Sequence, residues 1–413
     1  MSQPAKKTPG ASPSGLPFAE TLALVAALMA LNALAIDVML PALPAIGSAL
    51  QIDAHNDRQL IITAFLIGMA VASLVFGPLS DSIGRRKVLL AGLAIYSIGG
   101  VISSIATSFE AMLAARFLQG IGAAAPRVAT ISMVRDWYSG REMGRVMSLA
   151  MVVFMSVPIV APSIGQLILS FGEWRAIFAM LTIVGILLFI WLWVRLPESL
   201  KPQNSRPLSF SGTLLAYIKV MRTPITVGYM LAMSLILGTL FGFINSAQQV
   251  FVDVFGLQDE FPIMFALIAS TMAAASFLNA NLVRRFGMRK LAHGAMLAFT
   301  AASLVGTTLA ATGLQTVTSF MIIQCLCMFF FGFIGSNCNA MAMEPMGSLA
   351  GAASSVISFF TTLIGAVLGA LIGHAFNGST APLTTGFAVL GVLAIVVVYF
   401  TEGQRLFTPK NES

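Results

Sequence analysis

At 413 residues the chain is 57% hydrophobic and only 9% charged, against roughly a quarter charged in an ordinary soluble domain, which excludes a water-soluble enzyme or binding module. The net charge of +7 does not signal a nucleic-acid binder, because the basic residues sit in short loops between apolar runs and form no stripe with interleaved aromatics. Three cysteines, Cys325, Cys327 and Cys338, share one apolar run, where an odd count argues against a disulfide framework; Cys325 and Cys327 point roughly 200° apart on a helix and do not chelate one ion.

Residues 1–20 are rich in Pro, Ser and Gly and carry Lys6 and Lys7, the composition of a disordered tail. Apolar runs of spanning length follow at 22–41, 59–79, 88–107, 110–134, 143–170 and 175–196. The first is too long for a cleaved signal and contains Asp37 and Pro41, so it is expected to stay as a span. The stretch 197–222 is Pro-rich, polar and basic, as a linker is. Six more runs lie at 224–250, 261–282, 291–312, 316–342, 350–376 and 384–402, ahead of a short tail at 404–413. This predicts an all-α membrane protein of twelve transmembrane helices in two six-helix bundles, 21–196 and 223–403.

Nineteen of the 23 Lys and Arg fall on one face of that topology, whereas the other face keeps only Arg58 and Arg175. Basic loops stay in the cytoplasm, so both termini are expected there. The loop Gly84-Arg85-Arg86-Lys87 recurs 203 residues later as Gly287-Met288-Arg289-Lys290, and Asp136, closing the fourth span, recurs 208 residues later as Glu344, closing the tenth. Such offsets point to parallel duplicated halves, the plan on which alternating-access transporters are built.

A charge deep in a span costs at least about 2.5 kcal/mol, so intramembrane charges are functional candidates by default. Asp37 lies four residues from the outer end of its run and Arg116 six from the outer end of the fourth, at similar depth. They meet directly or through water if the two helices face one cavity. Asp37 then either exchanges a proton in competition with cargo or forms a static salt bridge. Arg127 lies eleven residues beyond Arg116, on nearly the same face and about 16 Å deeper. It either lines an inner vestibule, favouring neutral or anionic groups over cations, or snorkels to the interface. Pro158, Pro162 and Gly165 predict a bend in the fifth span. Gly365, Gly369 and Gly373 form a stripe suited to helix packing. Asn32, Met39, Phe241, Asn245, Gln248, Gln249, Gln324 and Phe331 are candidate cargo contacts, the amides being equally candidate interhelical partners. His55, His293 and His374 belong to no ligand set, so no metal is expected. No Gly-x-x-x-x-Gly-Lys-Ser/Thr loop occurs, which argues against ATP as the driver.

The segment Gly77-Pro78-Leu79-Ser80-Asp81-Ser82-Ile83-Gly84-Arg85-Arg86-Lys87 resembles the signature of the major facilitator superfamily, with Ser82 where a basic residue usually follows the acid. Arg116-Phe117-Leu118-Gln119-Gly120-Ile121-Gly122-Ala123-Ala124 looks like its fourth-span signature, and Pro158-Ile159-Val160-Ala161-Pro162-Ser163-Ile164-Gly165 like the fifth-span signature of antiporters. Asp37-Val38-Met39-Leu40-Pro41-Ala42-Leu43-Pro44 is similar to the first-span signature of drug/proton antiporters, in particular the Bcr/CflA-like branch, where Tyr is common in place of Met39; Arg135-Asp136-Trp137-Tyr138 is also typical of that branch. The resemblance covers essentially the whole chain. It implies the major facilitator fold, proton coupling through Asp37 and Arg116, and a cytoplasmic gate of Gly77, Asp81, Gly84, Arg85, Arg86, Asp136 and Arg145 that latches the halves together. It also implies a monomer of the bacterial inner membrane that needs no cofactor and exchanges protons for drugs or other small, largely lipophilic molecules. Some relatives carry another acid about two turns before Asp37, where Met29 stands here. The alternatives are a carrier of one metabolite, such as a sugar or amino-acid derivative, and a non-transporting scaffold or receptor.

Overall fold

The computed structural model describes residues 14–54, 56–204 and 209–407. Lys6 and Lys7 with the rest of 1–13, His55, Arg206, and Lys410 with the rest of 408–413 lie outside the described residues.

In lipid every backbone polar group needs an internal partner, and the described chain meets that demand with helices: α1 (Phe18–Asp37), α2 (Leu43–Ala49), α3 (Leu60–Ile83), α4 (Arg85–Ile105), α5 (Phe109–Trp137), α6 (Gly140–Phe171), α7 (Arg175–Arg195), α8 (Phe210–Met221), α9 (Pro224–Gln248), α10 (Phe261–Phe286), α11 (Met288–Ala311), α12 (Val317–Met343), α13 (Ala350–His374) and α14 (Ala381–Thr401). Eleven helical runs are long and apolar enough to cross a membrane, α1 and α2 counting as one run from Phe18 to Ala49. The twelfth crossing is α5, 29 residues long, whose arginines and small residues keep it less apolar than the rest. Hence α1 to α7 make one bundle and α9 to α14 the other. We call the side on which α1 begins and α14 ends the basic face.

Local chemistry sets the turns. Gly84 (φ 107°) and Gly287 (φ 79°) take left-handed conformations just before α4 and α11, which glycine adopts without steric cost. Thr316 and Ser319 form a reciprocal cap at the start of α12. Within the bundles small residues let helices close up. A Cβ on Gly120 would strike the Phe65 carbonyl, and one on Gly68 the Phe117 carbonyl, so α3 and α5 run in backbone contact. The α13 stripe packs as expected, with Gly365 and Gly369 against Phe241 of α9.

Two details depart from the sequence reading. The first span does not stop near residue 41: it breaks after Asp37 and resumes as α2 to Ala49, because Pro41 and Pro44 fit a first helical turn but not a helix interior. The linker contains α8, whose Tyr217 hydroxyl donates to the Leu74 carbonyl at 2.7 Å. The fifth span is one helix from Gly140 to Phe171 with Pro158 and Pro162 inside it, as a bent but unbroken helix allows.

Candidate functional site

Asp37 ends α1. It is 3% exposed, and among the described residues no hydrogen bond or ion pair reaches its carboxylate. The break that follows is held by α6, since a Cβ on Gly165 would strike the Val38 carbonyl and lie 3.2 Å from Pro41. The first-span and fifth-span signature-like segments therefore touch at the break.

Arg116 does not pair with Asp37, contrary to the direct meeting considered from depth alone. It is wholly buried and donates to the carbonyls of Ala35 (3.0 Å) and Ile61 (3.4 Å) and to Gln119 Oε1 (2.6 Å). The Phe65 ring lies 4.5 Å from its guanidinium carbon. The reason is the break itself: the last carbonyls of a helix lack intrahelical partners, and Ala35 is among them, so the guanidinium is drawn to backbone oxygen. Arg116 thereby ties α1, α3 and α5 at one level.

The predicted cargo contacts divide. Asn32 Oδ1, both amide atoms of Asn245 and of Gln248, and Gln324 Nε2 are buried without a hydrogen-bond partner among the described residues, so they are free to contact another molecule. Phe331 is half-buried. Met39 is fully buried in the break. Phe241 packs on glycines of its own bundle. Arg127 lies 3.8 Å from Met69 Sδ and among the described residues reaches no acid.

Gln249 belongs instead to a seal between the bundles at the face opposite the basic one. Its amide nitrogen donates to Asn56 Oδ1 at 2.8 Å, and its oxygen accepts from Gln59. Arg58 pairs with Asp253 at 3.2 Å, Asn56 donates to the carbonyls of His374 (2.8 Å) and Phe376 (2.9 Å), and Asp57 lies 3.5 Å from His374. Sequence reasoning missed this seal. Its one signal was Arg58, which with Arg175 is one of only two Lys or Arg residues on that face. Every residue from Phe241 to Phe251 is buried behind it.

Toward the basic face α6 and α10 are largely exposed. Between Gly140 and Val160, α6 buries only Val146, Ala150 and Val157, and beyond Ala275, α10 buries only Asn279. α3 and α13 keep contact there, with Gly77 against Ser355 and Asp81 beside Gly351 in the first turn of α13. Asp81 thus meets the positive end of a helix.

Arg85 is the hub of the predicted gate. It pairs with Asp81 and with Asp136 (3.2 Å) and donates to Ser80 (3.0 Å). Gly84 lets Glu198 approach, and the Glu198 carboxylate accepts from the backbone N–H groups of Arg85 (2.8 Å) and Arg86 (3.2 Å). Arg86 reaches the Trp193 carbonyl at 2.6 Å. These ties lie within one bundle, so the cluster braces that bundle, and of the predicted gate Gly77 and Asp81 face the other. Arg145 stands apart, its guanidinium carbon 4.9 Å from the Phe18 ring. The second bundle repeats the scheme: Arg289 pairs with Glu344 (3.3 Å) and Glu402 (2.8 Å). Glu198 and Glu402, 204 residues apart, were also missed; each is an acid just past the last span of its half.

Comparison with known proteins agrees with this architecture. Residues 25–370 match the sequence profile of the Major Facilitator Superfamily. The chain is 30% identical over 375 residues to a bicyclomycin resistance protein homolog of Haemophilus influenzae, covering 90% of this chain and 93% of that one. It is 30% identical over 402 residues to a chloramphenicol resistance protein of Pseudomonas aeruginosa, covering 94% and 93%. Among solved structures, the xylose transporter XylE from E. coli aligns over 92% of this chain and 97% of that one with a TM-score of 0.71 at 14% identity, a likeness of fold.

Proposed function

The chain belongs to the Major Facilitator Superfamily, and on that premise we propose that it exports drugs or other small, largely lipophilic molecules in exchange for protons, exposing one central site alternately to the two sides of the membrane. The observation that carries this reading is Asp37, a carboxylate buried at a helix break with no partner among the described residues. Such a group is tolerated in an apolar setting when protonated and needs water or a counter-charge when ionised. A change of access at the break therefore links its proton to the conformation of the bundles. Cargo enters from the basic face, and the Arg58–Asp253 seal holds the far side shut. By the distribution of Lys and Arg the basic face is cytoplasmic, with both termini, in a bacterial inner membrane. The energy is the proton gradient, about 2.3 kcal/mol per charge per 100 mV, and the unit is a monomer without cofactor or catalytic chemistry. Two relatives named for resistance to bicyclomycin and to chloramphenicol support a drug-sized cargo.

The test is proton release from purified protein on adding chloramphenicol, together with efflux from cells carrying Asp37→Asn. We expect the wild type to release protons and the variant to insert normally yet lose proton-coupled efflux. Full efflux by Asp37→Asn would remove this carboxylate from the mechanism.

A further inference from the structure

Arg116 and Arg127 lie on nearly one face of α5, but their surroundings are opposite in kind. Arg116 has oxygen acceptors for its guanidinium. Arg127 is half-buried, its Nη1 lies 3.8 Å from the Met69 thioether, and among the described residues no oxygen accepts a hydrogen bond from it. Of the acids on this bundle's basic side, Glu20 pairs with Arg195, Asp81 and Asp136 with Arg85, and Glu198 takes backbone N–H groups of Arg85 and Arg86, while Glu142 is exposed in the first turn of α6; among the described residues none of them pairs with Arg127. Between Glu20 and Asp37, α1 contains no charged residue.

The direction of the side chain speaks against the snorkelling alternative. Met69 lies fourteen residues before Ile83, where α3 ends at the basic face, about 21 Å of helix. Helical side chains lean toward the amino end, which in α5 is the face away from the basic one. The guanidinium is thus directed into the membrane interior. A cation at such depth without a counter-charge is costly and marks a function.

We propose that Arg127 is a recognition site for anionic cargo, the carboxylate of a largely lipophilic organic acid that enters from the basic face. A guanidinium offers two parallel N–H donors that match a carboxylate, a geometry that a lysine ammonium lacks. Neutral molecules bind the apolar surroundings without it, and cations are repelled by it. The proposal deepens the efflux reading and rests on it for the direction of transport.

The experiment is calorimetric titration of the purified full chain in detergent with 7-methoxycoumarin-3-carboxylate and with its methyl ester. Chloride is replaced by isethionate, and chloride alone is titrated in parallel. We expect the wild type to bind the carboxylate about tenfold more tightly than the ester, and Arg127→Ala to lose that preference while keeping ester affinity. Arg127→Lys should restore only part of the preference, and Arg127→Gln serves if the alanine variant does not fold. No binding of the carboxylate, equal affinities in the wild type, an unchanged preference in Arg127→Ala, or a response to chloride in place of the carboxylate each overturns the proposal. Asp37→Asn should keep the carboxylate preference. A wild type that shows the preference but releases no protons would therefore count against the efflux reading and not against Arg127.

Discussion

A charged residue inside a span is defined by what meets it, and Asp37, Arg116 and Arg127 show three outcomes. Arg116 is satisfied by two backbone carbonyls and an amide oxygen, so it acts as a tie between helices. Replacing it with lysine removes the planar fork that reaches those acceptors at once. Arg116→Lys should lower stability by about 1–3 kcal/mol, the cost of stranding buried polar groups, and thermal unfolding in detergent would register it as a lower Tm. An unchanged Tm would mean that the three bonds contribute little. The amino-acid pattern marked all three residues as important, because hydropathy exposes any charge in an apolar run. Which of them was paired was not legible, since the partner of Arg116 is a main-chain oxygen, and every residue has one.

At the scale of helices the two bundles solve one problem twice. Glu198 closes the amino end of α4, accepting two N–H groups that have no partner within the helix. Its counterpart Glu402 is wholly buried and accepts from Arg289 and from the Tyr229 hydroxyl, while Tyr229 also lies 3.1 Å from His293. Glu198→Ala should cost about 0.5–2 kcal/mol, as loss of a helix cap does. Glu402→Ala should cost more, about 1–3 kcal/mol, because it strands the buried Tyr229 hydroxyl and leaves Arg289 only the exposed Glu344. Comparing the two variants by thermal unfolding tests the ranking, and the reverse order would show that the repeat is one of sequence and not of energetics. Gly165 makes a related case. Gly165→Val should push α6 off the break after Asp37 and reduce the yield of folded protein, which size-exclusion profiles would report.

For the whole molecule the balance lies between ties across the far side and the contact of α3 with α13 on the basic side. The Arg58–Asp253 pair, with Asp253 about one-third exposed, contributes about 1 kcal/mol at most, enough to shift a two-state population several-fold. Thiol labelling at Asn245→Cys, in a background without Cys325, Cys327 and Cys338, reads that population. Arg58→Asp should speed labelling from the far side several-fold, and Arg58→Asp with Asp253→Arg should restore the slower rate. If the exchanged pair labels as fast as the single variant, the ion pair does not hold the seal. The amides left unbonded behind it, Asn245 and Gln248, act in the opposite sense, since opening would hydrate them.

Composition and the spacing of apolar runs were enough to determine a twelve-span helical membrane protein, because lipid leaves so few backbone solutions that hydropathy alone selects among them. The duplicated loops at Gly84 and Gly287 were legible for the same local reason, a left-handed turn that calls for glycine. The meeting of Asn56, Arg58 and Gln59 with Gln249 and Asp253 was decided only by the tertiary structure, as was the separation of Arg116 from Asp37. Those contacts join residues nearly two hundred positions apart, or a side chain to a backbone oxygen, and their existence depends on how two bundles lean together, which no periodicity within one helix encodes.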